Sequence, residues 1–411
     1  MDFPRALVIF VVLLLFYLVL QFYLFFRVRN YLRGRIRDRV KLRLLSGLVA
    51  SFFLIMLSPF AWRAMSGFHL YGPDPWLVRG LSAVFAVWGF GSSGSALILL
   101  GMHIWRCLAR LRSPGPGGSV DLQRRDFLKR SVGVAAAAPF LISGHGVLLG
   151  RRRFQVDHFD LPLSGLSSSL SQLSIVHLTD IHVGPFMPAE ELAAYVEAVN
   201  RLKPDLIALT GDFISRGMDE VAPCVDTLAG LKARYGIFAC MGNHEVLVGA
   251  EGELTRLFSQ KGVQVLRNDA ASIRIGNTTL NILGIDDLRW GDADLPQALK
   301  GAEREPGEVR MLLSHRPEVF PEAARNGLDL VLSGHYHGGQ VKLTPDPEGL
   351  SIARLITPYA EGLFHLSRRF HPSGGGTKDA VLFVSRGIGI TGLPIRVNCP
   401  PQIAHLTLRK T

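Results

Sequence analysis

Five short stretches of this 411-residue chain carry side chains able to grip a cation: Asp180-Ile181-His182, Gly211-Asp212, Gly242-Asn243-His244-Glu245, Ser314-His315 and Gly334-His335-Tyr336-His337. They offer oxygen from Asp180, Asp212 and Asn243 and imidazole nitrogen from His182, His315, His335 and His337. That mixture suits Mn²⁺, Fe or Zn²⁺, and the lack of cysteine in the set argues against a structural zinc knot. Seven donors are too many for one ion and about right for two divalent metal ions sharing a bridge. In extended backbone, residues two apart point to the same face, so Asp180 with His182, and His335 with His337, are expected to project as pairs. Gly211, Gly242, Gly334, Gly338 and Gly339 let the chain turn tightly beside an ion. The remaining histidines of the outer part, His158, His177, His365, His371 and His405, read as ordinary structural residues.

Each stretch closes an apolar, β-rich run. "LSIVHLT", "DLIALTG", "YGIFACMG", "VRMLLS" and "DLVLSG" read as buried strands, followed late in the chain by "AVLFVS" and "IAHLTL". Helical patterns lie between the early strands, at about Pro188–Leu202 and Asp219–Lys232. The order predicts a layered α/β domain whose strand ends stand side by side along one edge, the usual place for a site. "HPSGGGTKD" reads as a surface loop.

The rest of the chain is of another kind. Residues 1–150 carry 18 Lys and Arg against 5 Asp and Glu, whereas residues 151–411 carry 27 against 29. The basic excess therefore lies away from the larger part, which has none with which to hold a phosphate backbone, and no nucleic-acid partner is expected. Apolar runs at residues 6–26, about 44–62 and about 76–105 are each long enough to cross a bilayer. The loop "RVRNYLRGRIRDRVKLR" holds eight basic residues, and the region after the third run is again basic. By the bias of Lys and Arg toward the cytoplasm, both face inward. Gly91, Ser95 and Gly101 fit close helix packing within the third span. Arg124-Arg125 before Phe127-Leu128-Lys129 and an Ala-rich segment resembles a twin-arginine export signal, a feature read by the twin-arginine export machinery; the other reading is an ordinary fourth span. Either sends the following residues outward. The expected organisation is a membrane region over 1–150 with three transmembrane helices and this signal or fourth span, a linker over 151–171, and a catalytic domain over 172–411 on the extracytoplasmic side of the cytoplasmic membrane. Four cysteines without metal-type spacing predict no essential bridge.

The ordered set D-x-H, G-D, G-N-H-E, S-H and G-H-x-H, each after a strand, resembles the calcineurin-like metallophosphoesterase superfamily over about residues 172–411. "GHYHGGQ" and "GIGITGLPIRVNCPPQIAHLTL" are similar to the bacterial membrane-associated branch that includes UDP-2,3-diacylglucosamine pyrophosphatases and related cell-envelope phosphodiesterases. The resemblance implies a four-layer α/β sandwich, two β-sheets flanked by helices, here preceded by an α-helical transmembrane region. It implies one metal on Asp180, His182 and His337, another on Asn243, His315 and His335, and Asp212 as the bridge. Ser314 stands where glycine is common elsewhere in the superfamily, which removes no ligand.

Two such ions, roughly 4 Å apart, would clamp a phosphate and bring the pKa of a shared water toward neutrality for in-line attack. His244, next to Asn243, is expected to protonate or stabilise the leaving oxygen. The expected activity is hydrolysis of a phosphodiester or pyrophosphate linkage, with a lipid-linked nucleotide or a phospholipid headgroup as the leading substrate class. Trp290, Tyr359, Leu363 and Phe364 are either a lipid-facing rim or ordinary core. Two rivals stay open, a general extracytoplasmic phosphatase or nucleotidase and a non-catalytic membrane sensor. The complete donor set favours an enzyme.

Overall fold

A computed structural model describes residues 3–65, 75–112, 122–302, 308–367 and 379–410. Nearly all of the glycine-rich "HPSGGGTKD" stretch, residues 371–378, lies outside the described residues. The chain divides into a helical unit and a second unit made of the residues from Gly150 onward together with a short segment ending at Arg79.

In the helical unit, α1 (Phe3–Arg35), α2 (Arg39–Met65), α3 (Pro75–Arg112) and α4 (Leu122–His145) are each long and apolar enough to cross a membrane. Their windows are apolar on most sides, as expected of helices whose solvent is lipid. Packing between them is local. Leu20 and Leu24 of α1 meet Phe53 of α2 and Ala96 of α3, and Gln21 donates to the Ser92 hydroxyl at 2.9 Å. Gly91 and Ser95 do face a neighbour: a side chain at Gly91 would run into the Phe140 ring, and Ser95 donates to the Ala136 carbonyl. Among the described residues nothing lies within 4 Å of where a Cβ on Gly101 would stand, so none of them packs closely there.

Among the described residues the second unit holds twelve strands: β1 (Gln155–Leu163), β2 (Ser174–Leu178), β3 (Leu206–Thr210), β4 (Ile237–Cys240), β5 (Val263–Val265), β6 (Asp269–Ile275), β7 (Thr278–Gly284), β8 (Val309–Leu313), β9 (Leu330–Ser333), β10 (Gly362–Ser367), β11 (Asp379–Val384) and β12 (Gln402–Lys410). They form two six-stranded mixed sheets, in the orders β1-β12-β2-β3-β4-β5 and β10-β11-β9-β8-β7-β6. The central strands are parallel within each sheet.

Alternation along each strand makes the layers. Ile175, Leu206 and Ala208 face Leu280, Ile282, Met311, Leu330 and Leu332 of the other sheet, forming the inner core. Val176, Leu178, Ile207 and Leu209 point the other way, onto Tyr195, Val199, Val225 and Phe258 of the covering helices. Val331 and Leu312 are covered by Phe320 and Ala323 on the far side. Strands buried on both faces lose polar alternation, which is why they read as unbroken apolar runs. The result is two mixed sheets flanked by helices.

Residues 151–171, expected as a linker, instead contain β1, paired in parallel with β12 from Gln155↔Gln402 to Leu163↔Lys410. Its polar alternation "QVDHFDLPL" belongs to an edge strand exposed on one face, where Pro162 is tolerated, and only Leu161 and Leu163 are fully buried.

Candidate metal centre

The register sets the site. Leu178 pairs with Leu209 and Leu209 with Ala239, so β2, β3 and β4 finish level, and Asp180, Asp212 and Asn243 follow within three residues of the strand ends. In the second sheet Leu313 pairs with Leu332, bringing His315 and His335 to the same level. The donors thus come from the ends of both sheets rather than one edge, because the strands split into two layers.

Two clusters, Asp180 with His182 and His337 and Asp212 with His315 and His335, are linked by a third, His182 with Asp212 and His244, and in each the ligand atoms lie within 4.8 Å of one another. His182 Nε2 lies 3.1 Å from His337 Nε2, which lies 3.2 Å from Asp180 Oδ1. In the second cluster His335 Nδ1 is 3.2 Å from His315 Nε2. Asp212 Oδ2 stands between them, 3.5 Å from His182 Nε2 and 3.2 Å from His315 Nε2. Asn243 is tied to the second cluster through Arg316, which donates to its Oδ1 at 3.2 Å and to His335 Nε2 at 2.6 Å.

The backbone at these positions is unusual. Asp180, His182, Asp212, His335 and His337 have φ of 51°, 52°, 53°, 73° and 50°, in the left-handed region that non-glycine residues rarely occupy. Concentration of such strain at one place is a mark of function, because the surrounding fold must enforce it. It also corrects the expectation from extended geometry. His335 and His337 do not project as a pair: they enter different clusters. Asp180 and His182 do share one, through two left-handed turns and not through a pleat.

Close approach enforces the rest. Gly334 and Gly387 lie against the Asp180 carboxylate, where any side chain would collide with it, and Gly387 has φ 67°. The Asp180 oxygens accept the His335 N–H at 3.1 and 3.0 Å.

The donor set fits divalent cations. Burial holds His182 down to about 3 and keeps His335 and His337 well below the ordinary range, so all three stay neutral, the form that binds a metal. Burial would lower His315 too, but the Asp212 carboxylate raises it to about 10, and Asp212 is held down in return despite its own burial. A cation beside Asp212 takes the place of that proton. His315 Nδ1 donates to the Thr210 carbonyl at 2.8 Å, which directs Nε2 toward Asp212. Imidazole nitrogens facing each other in pairs beside the Asp180 and Asp212 carboxylates make a donor set that suits a divalent cation.

The family model of the calcineurin-like phosphoesterases matches residues 173–339. An "Uncharacterized metallophosphoesterase" of Aquifex aeolicus is 32% identical over 245 residues, 58% of this chain and 86% of that protein. The chain belongs to the calcineurin-like phosphoesterases. As a metallophosphoesterase it is a hydrolase of phosphoesters. A Bos taurus "Transmembrane protein with metallophosphoesterase domain" is 28% identical over 330 residues, 76% of this chain and 69% of that protein. The "Uncharacterized metallophosphoesterase YkuE" of Bacillus subtilis is 27% identical over 301 residues, 71% and 99% of the two chains.

Around the metallophosphoesterase centre stand residues that sequence reasoning passed over. Glu245 is fully buried, and its carboxylate accepts the backbone N–H groups of Asp212, Phe213, Ile214 and Gly242 at 2.8, 2.7, 3.3 and 2.8 Å. Arg316 is anchored by Asp287, whose Oδ2 accepts from Nε at 2.7 Å. Asp287 follows β7 as His315 follows β8, so the rule of polar residues at strand ends, carried one strand further, would have found it. Arg396 is fully buried and donates to the carbonyls of Arg386, Gly387, Gly389 and Cys399, holding the loop that packs on Asp180, and reaches His337 Nδ1 at 3.4 Å. Of the four residues weighed as a rim, Tyr359, Leu363 and Phe364 pack partly buried against the core, and Trp290 is half exposed, its backbone N–H donating to Asp287 Oδ1 at 2.9 Å.

Proposed function

We propose that the chain is a dinuclear phosphodiesterase or pyrophosphatase anchored in a membrane, with Asp180, His182 and His337 holding one divalent ion, Asn243, His315 and His335 another, and Asp212 shared. The observation that carries this reading is the position of Asp212 Oδ2, within 3.5 Å of one nitrogen from each cluster. Bound divalent cations supply Lewis-acid activation of water and neutralise charge on the transferring phosphoryl group.

The chain's own groups do the rest. His244 Nδ1 donates to the Ser215 carbonyl at 2.7 Å, and its backbone N–H donates to Asp212 Oδ1 at 2.9 Å. With Nδ1–H held on Ser215, Nε2 is the nitrogen left for the leaving oxygen, and it would give a proton there from the imidazolium form, the ring returning to neutral as the proton leaves. Arg316 uses three of its donors on Asp287, His335 and Asn243, which leaves N–H groups of its fork for a phosphate oxygen.

The substrate reading is a diester or pyrophosphate at a lipid headgroup, worked on at the extracytoplasmic face. Four helices long and apolar enough to cross a membrane, the basic loop between the first two, and the half-exposed Trp290 support it. Purified full-length protein loaded with Mn²⁺, Fe²⁺ or Zn²⁺ is to be assayed on bis-p-nitrophenyl phosphate and p-nitrophenyl phosphate. Faster diester cleavage, lost together with bound metal in Asp212→Asn, is expected. Preference for the monoester would favour a general phosphatase, and activity indifferent to metal would end the dinuclear reading.

A further inference from the structure

The described residues hold a basic cleft far in sequence from the metallophosphoesterase centre. Beside the short turn between α1 and α2 lies a cleft of about 480 Å³. Arg29 and Arg33 line one wall, one and two helical turns beyond Phe25 of α1, and Arg39 and Arg43, with Leu42, line the other on α2. Four arginine side chains therefore line one small space.

Nothing in the cleft offsets them. No acidic side chain lines it. Asp38, the single acid in residues 27–43, has its Oδ1 committed to the N–H groups of Val40 and Lys41, at 2.8 and 3.2 Å, where it caps the start of α2. Gathering like charges without a counter-charge is unfavourable, and an anion relieves it. Guanidinium forks match phosphate oxygens in pairs, which a lone lysine ammonium does not.

The shape distinguishes a lipid from a free ion. Phe25 lies toward the apolar part of α1, whose membrane-spanning window ends at Arg35, so the cleft is charged toward the turn and apolar toward the hydrocarbon. That polarity matches an amphiphile with its phosphate at the arginines and its chains along Phe25, beside Ser46 and Gly47 of α2, and basic pockets between membrane helices hold lipid headgroups in this way. Its volume falls in the range of sites for small organic ligands and exceeds the need of a bare phosphate.

We infer that this cleft binds the phosphate headgroup of an anionic phospholipid. The site is independent of the hydrolytic centre and does not require that the reading of the substrate be right.

The test uses the full chain, reconstituted in phosphatidylcholine nanodiscs doped with phosphatidylglycerol and released into native mass spectrometry. Wild type is expected to retain phosphatidylglycerol in preference to phosphatidylcholine, and Arg33→Gln with Arg43→Gln to lose that retention several-fold. Arg27→Gln with Arg37→Gln removes the same charge from the same turn outside the cleft and is expected to retain the lipid. Equal loss in the two double variants, or loss in neither, overturns the proposal. Arg33→Lys with Arg43→Lys keeps charge and removes the forks; weakened retention is expected, and undiminished retention overturns the guanidinium assignment. Displacement of the lipid by inorganic phosphate as readily as by soluble short-chain phosphatidylglycerol would show a site for a free anion and overturn the lipid. Helicity by circular dichroism must match wild type in every variant compared.

Discussion

The Glu245 carboxylate accepts the backbone N–H of Asp212 at 2.8 Å, and with three further N–H groups it fastens the loop after β3 to the loop after β4. Glu245→Gln keeps the shape but turns one acceptor into a donor, facing at least one backbone N–H with another. Each orphaned N–H costs about 1–3 kcal/mol. The denaturant midpoint should fall accordingly, and bound metal should fall several-fold because Asp212 is no longer held in its left-handed conformation. Metal analysis beside urea titration checks this, and a variant with wild-type midpoint and metal content would show that Glu245 positions nothing.

His244→Ala should lower turnover of a diester with an alkyl-alcohol leaving group by roughly 10²–10⁴-fold, and that of bis-p-nitrophenyl phosphate by much less, while metal content stays unchanged. The His244 ring also lies within reach of His182 and Asp212, so a ligand role is the competing possibility. The two separate cleanly. A proton donor matters most for poor leaving groups, so the loss should shrink for substrates with more acidic alcohols, whereas loss of a ligand would remove metal and depress every substrate alike.

The seven candidate donors could be picked out from the sequence because each follows an apolar run, and strands ending level in parallel sheets bring such positions together. Their backbone could not. The left-handed φ of Asp180, His182, Asp212, His335 and His337 comes from contacts with residues distant in the chain, such as Gly387 against Asp180, and no local pattern announces it. Arg316 and Asp287 were hidden for a different reason, since a basic residue after a histidine and an acid after a strand are common until tertiary structure joins them at 2.7 Å. In β1, one exposed face and a proline gave the polar look of a linker.

His177 carries a pH prediction outside the donor set. It is fully buried in β2, its Nε2 2.7 Å from the Thr210 hydroxyl, and burial lowers its pKa from 6.5 to about 3. The folded protein thus keeps it neutral while the unfolded chain protonates it below 6.5. Its contribution is complete above that pH and is lost as pH falls toward 3, at up to about 1.4 kcal/mol per pH unit. His177→Gln retains a partner for Thr210 and cannot be protonated. Between pH 6.5 and 5 the stability of wild type should therefore drop by about 2 kcal/mol more than that of the variant, measured by urea titration at each pH. Parallel curves would mean that His177 titrates normally in the folded state.

A twin-arginine role for the segment around Arg124 and Arg125 is a proposal that can be tested by the side of the membrane on which the second unit is found. In α4 these residues precede a window, Arg130–Gly150, apolar enough to span, so an export signal and an ordinary fourth span share one helix. Arg151, basic just beyond it and so against the usual charge bias of an outer flank, donates to the Phe186 carbonyl at 3.1 Å and serves the fold of the second unit. Both readings place that unit outside, but they differ in what the arginine pair does. A carrier that reads two arginines is sensitive to their replacement by lysine, whereas retention by positive charge is not. Arg124→Lys with Arg125→Lys should therefore leave the phosphoesterase unit protected from protease added to intact spheroplasts, while wild type is digested. Equal digestion of the two proteins would identify α4 as a plain membrane span, and protection of wild type itself would reverse the orientation.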